Sequence, residues 1–389
     1  RSHSVHWIHF ITSCNLRPAY EVADVLNTHW LQTEQHPQIN TWQLRILNAI
    51  KKCRTSELGG HIDVCTKCGT KRISYNSCRN RHCPKCQGSK REAWILKREE
   101  ELLPVPYFHV VFTLPAELNQ LAMYQPRAVY DALFEAAWDT IKTFGYDPKH
   151  LGAQTGMIAV LHTWGQQLSL HPHLHCILPG GGLTKRKNKT EVRQVWKVAR
   201  SKGKYLFPVK AMSKVFRAKY VSALKQKIQL DKSLVDELFK KPWVVYAKQA
   251  FGNANSVIEY LGRYTHKIAI SNHRIKHMDQ NTVTFSYKDY RKKGQKFSMT
   301  LDAMEFIRRF SMHILPKGFV RIRHFGILSS TGKKSSLPVI REQTKAPVRV
   351  KSEPRVLTPF MPKLCPHCKT ETMVTLEILP KRGPPEMMY

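Results

Sequence analysis

The residues best equipped for chemistry are cysteines and histidines, and they are bunched. Six cysteines fall in one short stretch: Cys53, Cys65, Cys68, Cys78, Cys83 and Cys86. A C-x-x-C turn sets two sulfurs on one ion with little chain strain, and zinc takes four thiolate or imidazole ligands in a tetrahedron. Cys65/Cys68 and Cys83/Cys86 are two such turns, separated by 14 residues, so the spacing predicts one zinc held by these four. Cys53, His61, Cys78 and His82 are left over and are the candidates for a second ion; the alternative is that they merely line the first site. Arg79, Arg81 and Lys85 punctuate the same stretch, beside Lys71 and Arg72, and suit phosphate or base contacts. Cys365-Pro-His-Cys368 is isolated in the sequence and reads equally as a loop or as part of a metal site.

A second constellation is His171-Pro-His173-Leu-His175, followed by Cys-Ile-Leu-Pro and three glycines. On a strand, side chains alternate, so His173 and His175 share a face while Leu174 points into packing. Two imidazoles one strand step apart can hold a single metal. An H-x-H-x-D-H hydrolase pattern would need an aspartate where Cys176 and Ile177 stand. Mg²⁺ or Mn²⁺ polarising a phosphodiester fits better. The third ligand is open among His162, Gln166, Glu259 and His266, with His171 assisting.

Glu259-Tyr260-Leu-Gly-Arg263-Tyr264-Thr-His266-Lys267 reads as a short helix. Residues four apart lie on one face, so both phenols can reach one point. A phenol with its usual pKa near 10 is a poor nucleophile at neutral pH. Beside a metal-bound phosphate, Arg263 and Lys267, the phenolate becomes accessible. Attack on phosphorus would leave a phosphotyrosine and a 3′-hydroxyl, and two nucleophiles would permit a second cleavage with the first end still attached.

Positioning these groups needs strands and helices around them. Apolar runs at 107–114, 157–164 and 173–178 read as strands, with further strands at 243–249, 267–274, 282–288 and 296–300. Helical patterns cover 89–103, 126–143, 211–230, 255–265 and 302–313, and most of the first 52 residues. Residues 184–204 read as a basic loop, 180–182 as a turn, and everything beyond 329 as a flexible basic tail; no internal repeat stands out. Strands able to pair as hairpins, with helices between them, predict an α+β antiparallel fold. The chain has 389 residues and a net charge of +35, with 42 % hydrophobic residues. That excludes a wholly disordered chain and favours a polyanionic partner, nucleic acid first. No apolar run reaches the roughly 18–20 residues of a membrane span, and with no leader in view the expected location is cytoplasmic.

Three segments in order, SCRNRHCPKCQ, HPHLHCILPGGG and EYLGRYTHKIAIS, resemble the rolling-circle, two-tyrosine HUH transposases of bacterial insertion-sequence family 91. The resemblance spans about residues 40–330. It implies an HUH endonuclease-type antiparallel sheet with flanking helices, preceded by a small zinc-binding domain. It implies that His173 and His175 bind the catalytic divalent ion, and that Tyr260 and Tyr264 nick and rejoin single-stranded DNA at element ends and target. The division expected is 1–103 helical and zinc-binding, 104–328 nuclease, and 329–389 tail. The competing readings are a non-catalytic zinc-dependent DNA-binding protein, or a replication initiator or relaxase with the same chemistry.

Overall fold

The computed structural model describes residues 18–86, 101–187, 191–199, 206–251, 257, 268–290, 292–344 and 364–381. In chain order its strands are β1 (Gly60–Cys65), β2 (Lys71–Tyr75), β3 (Tyr107–Thr113), β4 (Gly156–Trp164), β5 (Leu170–Pro179), β6 (Gly181–Lys187), β7 (Val192–Val198), β8 (Val245–Phe251), β9 (Ile275–Met278), β10 (Thr282–Asp289), β11 (Gln295–Asp302), β12 (Ile322–Gly326) and β13 (Met373–Leu379). The α+β expectation is met: β12-β4-β5-β3-β8 form one sheet, and every pairing within it is antiparallel.

Alternation along these strands separates two faces. Phe108, Val110 and Phe112 of β3, Leu174, Cys176 and Leu178 of β5, and Met157, Ala159 and Leu161 of β4 point one way into the main core. Helices Pro126–Tyr146 and Val209–Lys225 cover them. The first starts with proline at its first turn, where a missing N–H costs nothing. It buries Val129, Tyr130, Leu133, Phe134, Ala137, Ile141 and Phe144, a helical stripe. The opposite face is divided. Toward one end Tyr107, Ile158 and Ile177 pack under Leu103, Leu183, Ile327, Leu337 and Ile340. Toward the other end stand imidazoles.

The meander β11-β10-β9 belongs to another core. Val283 and Phe285, with Phe306, Ile307 and Phe310 of helix Ala303–Ser311, pack against Val25, Leu26, Ile46, Leu47 and Ile50 of the N-terminal helices. Long-range hydrogen bonds repeat the join. The Trp42 indole N–H donates to the Leu315 carbonyl at 3.0 Å, and the Gln43 amide to that of Ser311 at 3.0 Å. Residues 18–86 and 268–314 therefore build one core together, which a division of the chain at residue 103 does not anticipate.

Two further expectations are corrected. Residues 181–187 and 192–198 pair as the antiparallel strands β6 and β7, not as a loop. Gly181 and Gly182 lie inside β6, where a Cβ on Gly181 would come within 2.4 Å of the Trp196 ring. The segment beyond 329 is not a simple flexible tail. Gly332–Gln343 is a helix whose Gln343 side chain bonds β7 at the Trp196 N–H and the Gln194 carbonyl, both at 2.7 Å. Further on, β13 pairs with β1 in the sheet β13-β1-β2. No helix among the described residues is long and apolar enough to cross a membrane.

Candidate active site and metal centres

His173 and His175 share the sheet face opposite the main core, and β4 sets His162 directly opposite His173. The ligand atoms of His162, His173 and His175 all lie within 4.8 Å of one another. Hydrogen bonds fix the rings. His173 Nδ1 lies 2.6 Å from the His171 carbonyl oxygen; as donor to that acceptor, it leaves Nε2 free of its proton and able to bind a metal. His175 Nδ1 lies 3.0 Å from His109 Nε2, the two rings only 12° from parallel, which commits Nδ1 and leaves Nε2 turned elsewhere. The Trp164 ring stacks on His162 at 4.5 Å. Burial pushes both His173 and His109 down to about 4, so both imidazoles are neutral near pH 7, the form that ligates. Three convergent imidazoles fit a divalent ion.

Of the four candidates for a third ligand, His162 joins the pair. Gln166 instead has its backbone carbonyl engaged by the Arg274 guanidinium. Glu259 and His266 lie outside the described residues, as do Tyr260, Tyr264, Arg263 and Lys267. His109 was not anticipated. Its only signal is that it interrupts the apolar run of β3 on the face opposite Phe108 and Val110.

The thiols regroup. Cys53, Cys78, Cys83 and Cys86 form one quartet, while Cys65 and Cys68 stand with Cys365 and Cys368. The pairing of Cys65/Cys68 with Cys83/Cys86 is therefore incorrect. In the first quartet Cys53 and Cys86 sulfurs are 3.5 Å apart and those of Cys78 and Cys86 3.7 Å. Thiolates about 2.3 Å from a tetrahedral zinc sit about 3.8 Å from each other, whereas a disulfide is about 2.05 Å. The quartet thus has the spacing of a zinc site. The Cys78 N–H donates to the Cys53 sulfur at 3.4 Å.

Neither histidine is needed as a ligand. His61 faces Asp63 across 3.5 Å on β1. His82 is buried and pushed down to about 3 by burial, and its neutral Nε2 accepts from the Leu315 N–H at 3.4 Å. Two of the cations expected on DNA are also held inside the protein. Arg81 donates to the carbonyls of Pro316 and Phe319. Lys85 reaches the Cys53 carbonyl at 3.2 Å and Glu21 at 2.5 Å. Arg79 is exposed.

Comparison with known proteins agrees with both halves of this picture. Residues 25–114 match the family model described as "Transposase zinc-binding domain". Residues 156–336, which include β4 and β5, match the model described as "Putative transposase". A Sinorhizobium fredii protein named "Putative transposase y4qJ" is 39 % identical over 398 residues, spanning 95 % of this chain and 98 % of its own. The chain is a transposase of insertion-sequence family 91. This transposase is also 28 % identical over 339 residues to the "Transposase for insertion sequence element IS801" of Pseudomonas savastanoi pv. phaseolicola, covering 82 % of this chain and 78 % of the relative. No solved structure matches it. Family membership carries with it DNA as substrate, DNA cleavage as the activity and zinc as a structural metal.

Proposed function

We propose that this transposase nicks and rejoins single-stranded DNA at mobile-element ends and target through 5′-phosphotyrosine intermediates, by a rolling-circle-like HUH mechanism. On that reading it works at the nucleoid, in the bacterial cytoplasm. The observation that carries the proposal is the convergence of His162, His173 and His175 on one face of the sheet. A second observation supports it. Val257, three residues before Tyr260, is buried with Ile158 and Ile177, and Ile177 shares its face of β5 with His175.

Tyr260 or Tyr264 attacks the scissile phosphorus through its phenolate oxygen. The bond from phosphorus to the 3′-oxygen breaks, that oxygen takes up a proton as a 3′-hydroxyl, and the 5′-phosphate stays on the tyrosine. The ester conserves the bond energy, so rejoining by a 3′-hydroxyl needs no nucleotide cofactor. Arg263 and Lys267, neighbours of the tyrosines in the sequence, would favour the ionised form of the phenols. Exposed Arg79 contributes to holding the DNA backbone. A bound Mg²⁺ or Mn²⁺ would be held by His162, His173 and His175 and would neutralise charge on the scissile phosphate. His109 fixes the ring of His175.

The test is incubation of the full chain with single-stranded element-end DNA and Mn²⁺ or Mg²⁺, followed by a denaturing gel. Wild type is expected to give a covalent adduct, and the double substitution Tyr260→Phe/Tyr264→Phe none; an adduct surviving in that double variant would overturn the mechanism. His109→Leu is expected to raise the metal concentration for half-maximal nicking by about 10–100-fold, the usual cost of losing such a partner. His109→Gln, which still offers a polar atom to His175, should recover most of it. Equal titration curves for Leu and Gln variants would remove His109 from this role.

A further inference from the structure

The zinc-binding family model stops at residue 114, yet Cys65 and Cys68 find their partners some three hundred residues later. The two segments are copies of one local structure. Cys65-Thr-Lys-Cys68-Gly69-Thr70 and Cys365-Pro-His-Cys368-Lys369-Thr370 share the pattern C-x-x-C-x-T. In each, the first cysteine N–H bonds the threonine carbonyl, at 2.9 Å for Cys65 and 2.8 Å for Cys365. In each, the residue after the second cysteine donates back to the first cysteine carbonyl, at 2.9 Å from Gly69 and 3.0 Å from Lys369. That residue turns left-handed in both, φ +72° for Gly69 and +57° for Lys369. Such a turn brings two sulfurs to one point.

The copies face each other. Sulfur–sulfur distances are 3.6 Å for Cys65–Cys368 and 3.6 Å for Cys68–Cys365, close to the about 3.8 Å of a tetrahedral zinc tetrathiolate and far beyond a disulfide bond. Hydroxyls surround the sulfurs: Thr372 at 3.0 Å from Cys65, Thr70 at 3.1 Å from Cys68 and Thr370 at 2.9 Å from Cys368. Hydroxyl donors of this kind hold thiolate ligands in place. Strand β13 then continues from the second knuckle along β1, with Met373 opposite Cys65.

We propose that Cys65, Cys68, Cys365 and Cys368 bind a second structural zinc, which clasps the C-terminal segment onto the N-terminal domain as a two-knuckle zinc ribbon. Apart from the β13–β1 ladder, the junction has a small apolar core among the described residues: Cys65, Cys365 and Met373, with Cys368 against it. The ion therefore supplies the stability that a core would supply elsewhere.

The test is zinc content per full-length chain by elemental analysis, combined with cobalt substitution. Wild type is expected to hold two zinc ions. Cys65→Ser/Cys68→Ser, Cys365→Ser/Cys368→Ser, and all four changes together are each expected to hold one, because both knuckles serve the same ion. The remaining ion in the fourfold variant reports that the first quartet is intact, so misfolding is separable from site loss. Cobalt in the wild type is expected to give the intense visible bands of tetrahedral thiolate coordination, reduced by half in each variant. Two zinc ions retained in Cys365→Ser/Cys368→Ser, none in the fourfold variant, or iron in place of zinc, would overturn the proposal.

Discussion

Replacing His173 and His175 together by alanine is expected to lower metal-dependent nicking by on the order of 10²–10⁴-fold, the several kcal/mol that metal polarisation of a phosphodiester supplies. Zinc content and thermal unfolding should stay close to wild type. Both side chains stand on the sheet face opposite the main core, whereas the core-facing residues of the same strand, Leu174 and Cys176, are untouched. The effect should not be recoverable by excess metal, in contrast to His109→Leu. A pH dependence follows from the same geometry. Burial holds His173 down to about 4, below its usual 6.5, so its neutral form persists as pH falls from 7 and is lost only as pH approaches about 4. His173 is thus not the source of any acid limb centred near 6.5. Measured nicking across pH 4–8 at saturating Mn²⁺ checks this: a limb near 6.5 that vanished only in a His173 variant would contradict the burial. The ligand set also orders the metals. Imidazole nitrogen suits Mn²⁺ better than Mg²⁺, which prefers oxygen and keeps its waters. Half-maximal activity should therefore come at lower Mn²⁺ than Mg²⁺.

Local chemistry was legible in the sequence where it depends on neighbours along the chain. Two-residue alternation around Leu174 put His173 and His175 on one face, and a largely apolar run announced β3. What the sequence did not disclose depends on cross-strand or long-range partners. His109 is a lone histidine in an apolar strand, and only the β3–β5 register brings it to His175. The cysteine quartets could not be paired by spacing, since one closes within residues 53–86 while the other joins turns about three hundred residues apart. One signal in the sequence does link the distant turns: threonine two residues after each of two C-x-x-C turns, at Thr70 and Thr370. Arg81 and Lys85 look like surface cations until carbonyls from residues 53, 316 and 319 come to meet them.

Substituting Cys83 by serine is expected to be far more damaging than opening the C-terminal clasp. Cys53, Cys83 and Cys86 lie inside the apolar cluster that joins the N-terminal helices to Val283, Phe285, Phe306 and Phe310. Structural zinc at such a site is worth about 10–16 kcal/mol in apparent binding energy, against a total stability of about 5–15 kcal/mol for a typical domain. Losing the ion also leaves thiols in a space shaped around it. The loss spreads, because Arg81 and His82 sit between ligands Cys78 and Cys83 and hold the backbone of residues 315–319. That segment leads into β12, the edge strand beside β4, which carries His162. Cys83→Ser should therefore lose nicking although every proposed catalytic side chain remains. Limited proteolysis should cut first within 18–86 and 268–314. Cleavage should be slower within β3–β5 and helices Pro126–Tyr146 and Val209–Lys225, whose core contains none of these cysteines. Wild type stripped by a strong chelator should show the same order of cleavage. If Cys83→Ser instead melted as wild type does, with its zinc reduced by one, the first quartet would be ornamental to the core and the coupling to β12 would fall with it.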